Sequence, residues 1–525
     1  MITLLKGGSV YDGTGAVVNV LDILVSGDKI IEIGTDIKSK ADRVIDCTGL
    51  CVAPGFIDAH SHNDFFVLSK QSQEYFAPFL RQGITSQVVG NCGKSAFGVD
   101  MNSPHVPVAS GGLFPPPMSG SFTDFVRDSQ GKLHLNIVPL IGHGTIRGGM
   151  VGMDPKHFTQ EQNDEMITHI DEAMENGAFG GSFGIMYEPG MYADEEELLT
   201  FARALKKHDG ILTIHPRACS SVSLAYRPMF TRPHIEIALN EVENFMVKTG
   251  VRTQYSHLIF VGEKTWKTYD TMVRRFREMQ EAGHDIAFDI YAYTFGCSVI
   301  TVILPPWYLG LSPEKRKSRF VRMRLKMLMK ISMKLLGFGF EEILVQYISP
   351  KHKHYEGKTI AQIARDEGKS ATDMYLELVE LSNAEGRLLI SKYSTDEMVL
   401  KLMQNPQSLL MTDAWWEEAG YQNTATYQGF PEFLVIAKRH NLPLERIIHK
   451  MTGATAARFK IPNRGTIAEG NFADITVFDY ENVSTNLSVP DEAPKGIKYV
   501  LVNGQLVVDN EQYTPNLCGR MLTRA

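Results

Sequence analysis

Eight short apolar runs recur through the middle of this chain, and most of them stop at a residue that can bind a metal. The runs are Val52–Ile57, Ile84–Gly90, Leu133–Ile141, Phe179–Met186, Ile211–His215, Val251–His257, Asp285–Tyr291 and Ser408–Asp413. Stretches of helical pattern separate them. Such alternation predicts a parallel sheet with crossover helices, and eight units predict a closed (β/α)8 barrel. In that architecture the chemistry sits at the C-terminal ends of the strands. His60 and His62 follow the first run, Cys92 follows the second, and His215, His257 and Asp413 end the fifth, sixth and eighth. Polar residues placed at random would not select strand ends so consistently.

The first run, Val52-Ala-Pro-Gly-Phe-Ile-Asp-Ala-His-Ser-His62, shows the logic most plainly. Residues two apart on a strand share a face, so both imidazoles aim at one point just past its end. Two converging imidazoles are a common start for a metal site. Taken alone, the pair is equally compatible with a polar surface loop.

The chain's 525 residues, 43% of them hydrophobic, suffice for a large core and more than one domain. The ends read as alternating strands and turns. Residues 1–51 and 462–525 are therefore expected to meet in one small β-sandwich domain, with the barrel over 52–461. Residues 300–400 form an insertion between strands seven and eight, expected to be a helical lid. It contains the basic, Met-rich stretch Lys315-Arg-Lys-Ser-Arg-Phe-Val-Arg-Met-Arg-Leu-Lys-Met-Leu-Met-Lys330. This stretch reads first as the solvated face of a lid helix, with a membrane-surface contact or an oligomer interface as alternatives.

A net charge of −7 excludes a global basic field for nucleic acid. No apolar run reaches the roughly 20 residues of a membrane span. The N-terminus meets glycine and charge too soon for a signal peptide. Six scattered cysteines predict a reduced, cytoplasmic protein without a disulfide framework. A small-molecule substrate and a homo-oligomer are expected.

With these residues in place, the chain resembles the amidohydrolase superfamily, and within it the D-aminoacylase (N-acyl-D-amino-acid deacylase) family. The superfamily likeness lies in Gly55-Phe-Ile-Asp-Ala-His-Ser-His62 and in Gly465-Thr-Ile-Ala-Glu-Gly-Asn-Phe-Ala-Asp-Ile-Thr-Val-Phe-Asp479. The narrower likeness lies in Gly90-Asn-Cys-Gly93, Gly142-His-Gly-Thr-Ile-Arg147, Gly184-Ile-Met-Tyr-Glu-Pro-Gly-Met-Tyr192, His215-Pro-Arg217, Asp289-Ile-Tyr-Ala-Tyr293 and Leu304-Pro-Pro-Trp307. The resemblance implies a metal-dependent hydrolase barrel in which Cys92 replaces the strand-four lysine used elsewhere in the superfamily. It implies a tight zinc on Cys92, His215 and His257. A second, weaker site would use His60 and His62, with Cys92 bridging and Asp413 nearby. A thiolate favours zinc over magnesium or calcium. Zinc lowers the pKa of bound water to about 7. Asp413 is then the general base and acid for amide hydrolysis; its alternative role is to cap a helix starting at Trp415.

Tyr187 is expected to contact substrate, or else to pack on Pro189. Arg217 points the same way as His215 if the strand continues, or else forms a structural ion pair. Tyr291 and Tyr293 share a face at the end of strand seven, facing either the pocket or the core, and His143 is a candidate for the mouth. The pattern departs from the family where a substrate carboxylate would be held. A lysine is replaced by Ile259, a small hydroxyl residue by Cys297, a His-Pro-Arg by Asn423-Thr-Ala425, and an arginine by Glu432. A buried carboxylate without a cation is strongly unfavourable. The substrate is therefore expected to lack that carboxylate, carry it elsewhere, or be larger and more apolar, in a pocket lined by Trp415 and Trp416. A linear amide is the leading expectation. A cyclic amide, imide or lactam is the alternative, and a non-catalytic scaffold is the second.

Overall fold

In the computed structural model, residues 1–111, 114–226 and 232–524 are described. The eight parallel strands that carry the site are Phe56–Asp58, Ile84–Val89, Asn136–Gly142, Gly180–Gly184, Ile211–His215, Arg252–Tyr255, Ile286–Ile290 and Ser408–Leu410, each paired with the next in chain order. The ring closes between the eighth and first through irregular backbone. The Asp413 N–H donates to the His60 carbonyl at 3.0 Å, and the Ala59 N–H to that of Leu410 at 3.4 Å. Strands two and three are buried at every position, as expected of a sheet covered on both faces. The covering helices are amphipathic. Glu195–Lys207, for instance, is capped by the Asp194 side chain and buries Leu198, Leu199, Phe201, Ala202 and Leu205.

One expected strand is two. Cys51–Pro54 pairs antiparallel with Ile475–Phe478, joining the two chain ends in a nine-stranded sheet, whereas Phe56–Asp58 opens the barrel. Gly55 separates them. A Cβ there would stand 2.2 Å from Thr85 Oγ1, so only glycine lets the chain pass between the layers. The nine-stranded sheet folds over its own core of Leu5, Val25, Ile30, Val52, Ile475 and Leu501. The Ile30 N–H reaches the Asn471 carbonyl at 3.0 Å and ties the edge strand to the segment that leads into Ile475–Phe478.

The insertion is not helical throughout. Gly296–Val299, Arg387–Ile390 and Ile343–Tyr347 form a three-stranded antiparallel sheet. The helices Arg319–Leu336, Ile360–Asp366 and Ala371–Leu381 lie between its strands, and Asp396–Gln404 is the crossover helix into the last barrel strand. No helix among the described residues is long and apolar enough to cross a membrane.

Behind strand four, Glu197 is shared by Arg147 and by His143 Nε2 (2.8 Å), and all three side chains are fully buried. Burial alone would raise the Glu197 pKa, but His143 and Arg147 hold it below the ordinary value. Glu197→Ala leaves a guanidinium buried without its anion. It is expected to cost about 3–5 kcal/mol, read from the urea midpoint.

Candidate metal centre and active site

Three of the six ligand-type residues adopt backbone that side chains rarely take: Cys92 at φ 50°, His257 at φ 36° and Asp413 at φ 48°. Each such residue costs on the order of 1–3 kcal/mol and persists only where its surroundings fix it. Here the surroundings do. Around Cys92, a Cβ on Gly184 would lie 1.9 Å from the Cys92 carbonyl, and one on Gly90 2.0 Å from that of Leu140. Asp289 accepts the His257 N–H at 2.7 Å and Gln254 Nε2 at 3.0 Å. Asp58 accepts the His60 N–H at 3.2 Å, the Thr412 N–H at 2.9 Å and the Thr412 hydroxyl at 2.6 Å, tying strand one to strand eight beside Asp413. Burial pushes Asp58 up to about 7 despite these donors.

The side chains converge on one sulfur. Cys92 Sγ lies 3.4 Å from His60 Nε2, 3.5 Å from His215 Nδ1 and 3.7 Å from His257 Nε2. Asp413 Oδ1 lies 3.4 Å from Nε2 of both His60 and His62. Two groups result, His60–His62–Cys92–Asp413 and Cys92–His215–His257, each with its ligand atoms within 4.8 Å of one another. A tetrahedral zinc, with bonds of about 2.3 Å to sulfur and about 2.05 Å to nitrogen, separates such atoms by roughly 3.5 Å. The spacing and donor chemistry therefore fit zinc. The Asp413 side chain is 18% exposed, against 1% for His60 and 4% for His62, so the carboxylate is the member that faces open space. Burial would raise its pKa, but His60, His62 and His257 hold it well below the carboxylate range. Burial pushes the Cys92 thiol up, and His60 opposes this.

A cavity opens over this cluster. Of the residues expected to meet substrate, Tyr187, Ile259, Tyr291, Cys297 and Trp415 line it. The Tyr187 hydroxyl is 3.4 Å from His215 Nδ1, and the Trp415 ring stands edge-on to His62 and Phe114.

Others lie elsewhere. Arg217 is held by Glu241 at 3.0 Å and by the Met191 carbonyl at 3.1 Å, behind the wall. Tyr293 stacks on Phe295. His143 is buried with Glu197, away from the mouth. Trp416 packs on Tyr75, and Glu432 is buried against Thr485. No helix follows Asp413 for it to cap, since the next begins at Thr424.

Sequence reasoning missed Lys94, Met186, Phe114 and Tyr393, which also line the cavity. Lys94 is 3% exposed. Its Nζ donates to the Glu188 carbonyl at 2.9 Å, and burial lowers its pKa to about 7. Its signal was a lysine in an otherwise small and apolar loop. Asp58 and Asp289 stand in the sequence motifs without a role of their own. An acid inside an apolar strand demands donors, and that was the available clue to their positioning role.

A parallel eight-stranded barrel with histidine, cysteine and aspartate side chains grouped at its strand ends is an arrangement suited to metal-assisted hydrolysis. A sequence model of the amidohydrolase family matches residues 410–508. A D-aminoacylase from Alcaligenes xylosoxydans xylosoxydans is 28% identical, over 99% of this chain and 97% of its own. A crystal structure of D-aminoacylase matches with a TM-score of 0.82 at 27% identity, covering 99% of each chain. The N-acyl-D-glutamate deacylase of Bordetella bronchiseptica, solved with zinc and a phosphonate mimic of the tetrahedral intermediate, matches at 0.81 and 25% over 99% of each chain. Over nearly its whole length the chain is similar to D-aminoacylases and N-acyl-D-amino-acid deacylases, and its chemistry is that of a hydrolase acting on carbon–nitrogen bonds other than peptide bonds.

Proposed function

We propose that this enzyme is a zinc-dependent deacylase that hydrolyses the linear amide of an N-acyl-D-amino acid or a close relative. The observation that carries the reading is the single sulfur of Cys92, common to two ligand groups at zinc spacing, with Asp413 facing the cavity beside it. Cys92, His215 and His257 would hold the tight ion; His60 and His62, with Cys92 and Asp413, would hold a weaker second. Such an ion, when bound, supplies a Lewis acid that polarises a carbonyl and brings the pKa of water to about 7.

The chain's own residues supply the rest. Asp413 takes the proton of the attacking water at its carboxylate and delivers it to the leaving nitrogen, because an amide anion is too poor a leaving group. Asp58 and Asp289 position His60, His257 and the Thr412–Asp413 turn through the hydrogen bonds above. Tyr187 orients the substrate from beside His215. Ile259, Tyr291, Phe114 and Trp415 present apolar surface that keeps bulk water from the reacting carbonyl. Five of the six cysteines are buried and all six are free, which suits the reducing cytoplasm.

Lys94 supplies the cation that Ile259 does not. Among the described residues it is the only lysine or arginine lining the cavity, and only one of its three donors is used, by the Glu188 carbonyl. Lys94→Met is expected to raise KM for carboxylate-bearing substrates about 10–100-fold, the worth of a charged hydrogen bond. The corresponding amides should be unaffected. A steady-state comparison of acid and amide substrates checks this.

The reading as a whole is tested by a turnover screen of the zinc-loaded enzyme. It pairs N-acyl-D and N-acyl-L amino acids, their amides, and cyclic imides and lactams. Turnover of the linear N-acyl-D compounds is the expected result. Hydrolysis confined to the cyclic ones overturns it.

A further inference from the structure

The helix Arg319–Leu336 turns apolar residues outward. Phe320, Met323, Met327, Ile331 and Leu335 are 41–78% exposed, and their spacing of three and four residues aligns them in one stripe. The same helix carries six basic residues and no acidic one, in a chain of net charge −7. Two of the six are engaged, Arg322 by Glu380 and Lys326 by Asp373. Arg324 lies over the Trp307 ring. Arg319, Lys330 and Lys334 have no acidic partner among the described residues. An exposed apolar stripe flanked by unpaired cations is the composition of a helix that lies in a lipid interface.

The inner side of this helix roofs a chamber. Met329, Met333 and Leu336 line a mostly apolar chamber, together with Ile303 and Phe338. Met186, Met191, Val302 and Tyr393 line both this chamber and the catalytic cavity, so the two adjoin.

We propose that this helix docks on an anionic lipid surface, and that the chamber beneath it takes the hydrocarbon chain of a long-chain N-acyl substrate drawn from that surface. The chamber half rests on the deacylase reading; the docking half does not. Charge selects the occupant. Anionic headgroups attract basic residues while the stripe enters the acyl boundary. A second copy packed through this helix about a twofold axis would set its cations against an identical set.

Full-length enzyme is sedimented with vesicles of phosphatidylcholine alone and of phosphatidylcholine mixed with phosphatidylserine. Binding to the mixed vesicles only, weakened by salt, is expected. The double variants Phe320→Ser/Met327→Ser and Lys330→Glu/Lys334→Glu should each lower the bound fraction about tenfold or more, with an unchanged circular-dichroism melt. No binding to either vesicle overturns the docking. So does a dimer, seen by sedimentation velocity, that Phe320→Ser/Met327→Ser converts to monomer.

For the chamber, N-acetyl, N-octanoyl and N-lauroyl derivatives of one amino acid are compared. Rising kcat/KM with chain length is expected, and Ser332→Phe, which fills the chamber wall, should lower it for the lauroyl compound only. Turnover of the acetyl but not the lauroyl compound overturns the chamber. If no chain length is hydrolysed, the deacylase reading falls instead. A dansyl-labelled fatty acid then decides the chamber: binding that Ser332→Phe abolishes supports it, and no binding overturns it.

Discussion

Asp413→Asn is expected to lower kcat by roughly 10²–10⁴-fold, the range for loss of a positioned general acid–base, while zinc stays bound. Asparagine keeps the size of the side chain and tolerates the left-handed backbone that Asp413 occupies at φ 48°. Its N–H can still donate to the His60 carbonyl. What disappears is the proton acceptor. The Cys92–His215–His257 group does not include residue 413, so the residues that would hold one ion stay in place. His60, His62 and His257 keep the wild-type carboxyl ionised, so the variant removes a charge as well as a base. Because the carboxamide occupies the same volume at the cavity wall, KM should change little and the loss should fall on kcat. Metal content by mass spectrometry and steady-state kinetics on the same preparation separate the two effects. Wild-type-like turnover in a variant that retains its zinc would remove Asp413 from the chemistry.

Much of this site is legible because its ligands sit where apolar strands stop, and strand ends leave a strong mark in sequence. Two of the misplaced residues share one cause: a strand's period of two does not continue past its end. Strand five ends at His215, and the chain then turns, so Arg217 swings back to Glu241 instead of joining His215 over the pocket. Strand seven ends at Ile290, so Tyr291 lines the cavity while Tyr293, two residues on, stacks on Phe295. The apolar run at 52–57 carries no sign of its division, because what divides it is the closeness of Thr85 to Gly55 in space. The three-stranded sheet of the insertion is built from strands of four and five residues between longer helices, too short for a period to stand out. Lys94 sits on a loop with no period at all. Its place at the cavity follows from the tight turn around Cys92, which the packing of Gly90 and Gly184 permits.

Cys92→Ala is expected to weaken zinc binding by orders of magnitude and to abolish activity with it, a larger loss than that of Asp413→Asn. The sulfur is the one atom common to both ligand groups, so its removal leaves two histidines in the group of His215 and His257 and three ligands in the other. Alanine suffers the same left-handed strain as cysteine, so the backbone term nearly cancels and the change isolates the ligand. The pH dependence of zinc affinity gives an independent reading. Burial pushes the thiol pKa up, so near neutral pH the unliganded site holds that proton and zinc must displace it. Wild-type affinity therefore weakens as pH falls, and the slope of log affinity against pH should drop by about one proton for any zinc that Cys92→Ala still takes up. Cys518→Ala is the control. Cys518 is buried, with its backbone carbonyl accepting from Asn503 Nδ2, away from the cluster, and removal of its thiol should leave zinc content and pH slope unchanged. Stoichiometric zinc with an unaltered slope in Cys92→Ala would reduce the sulfur to a packing atom and leave the four histidines and Asp413 to hold the ion.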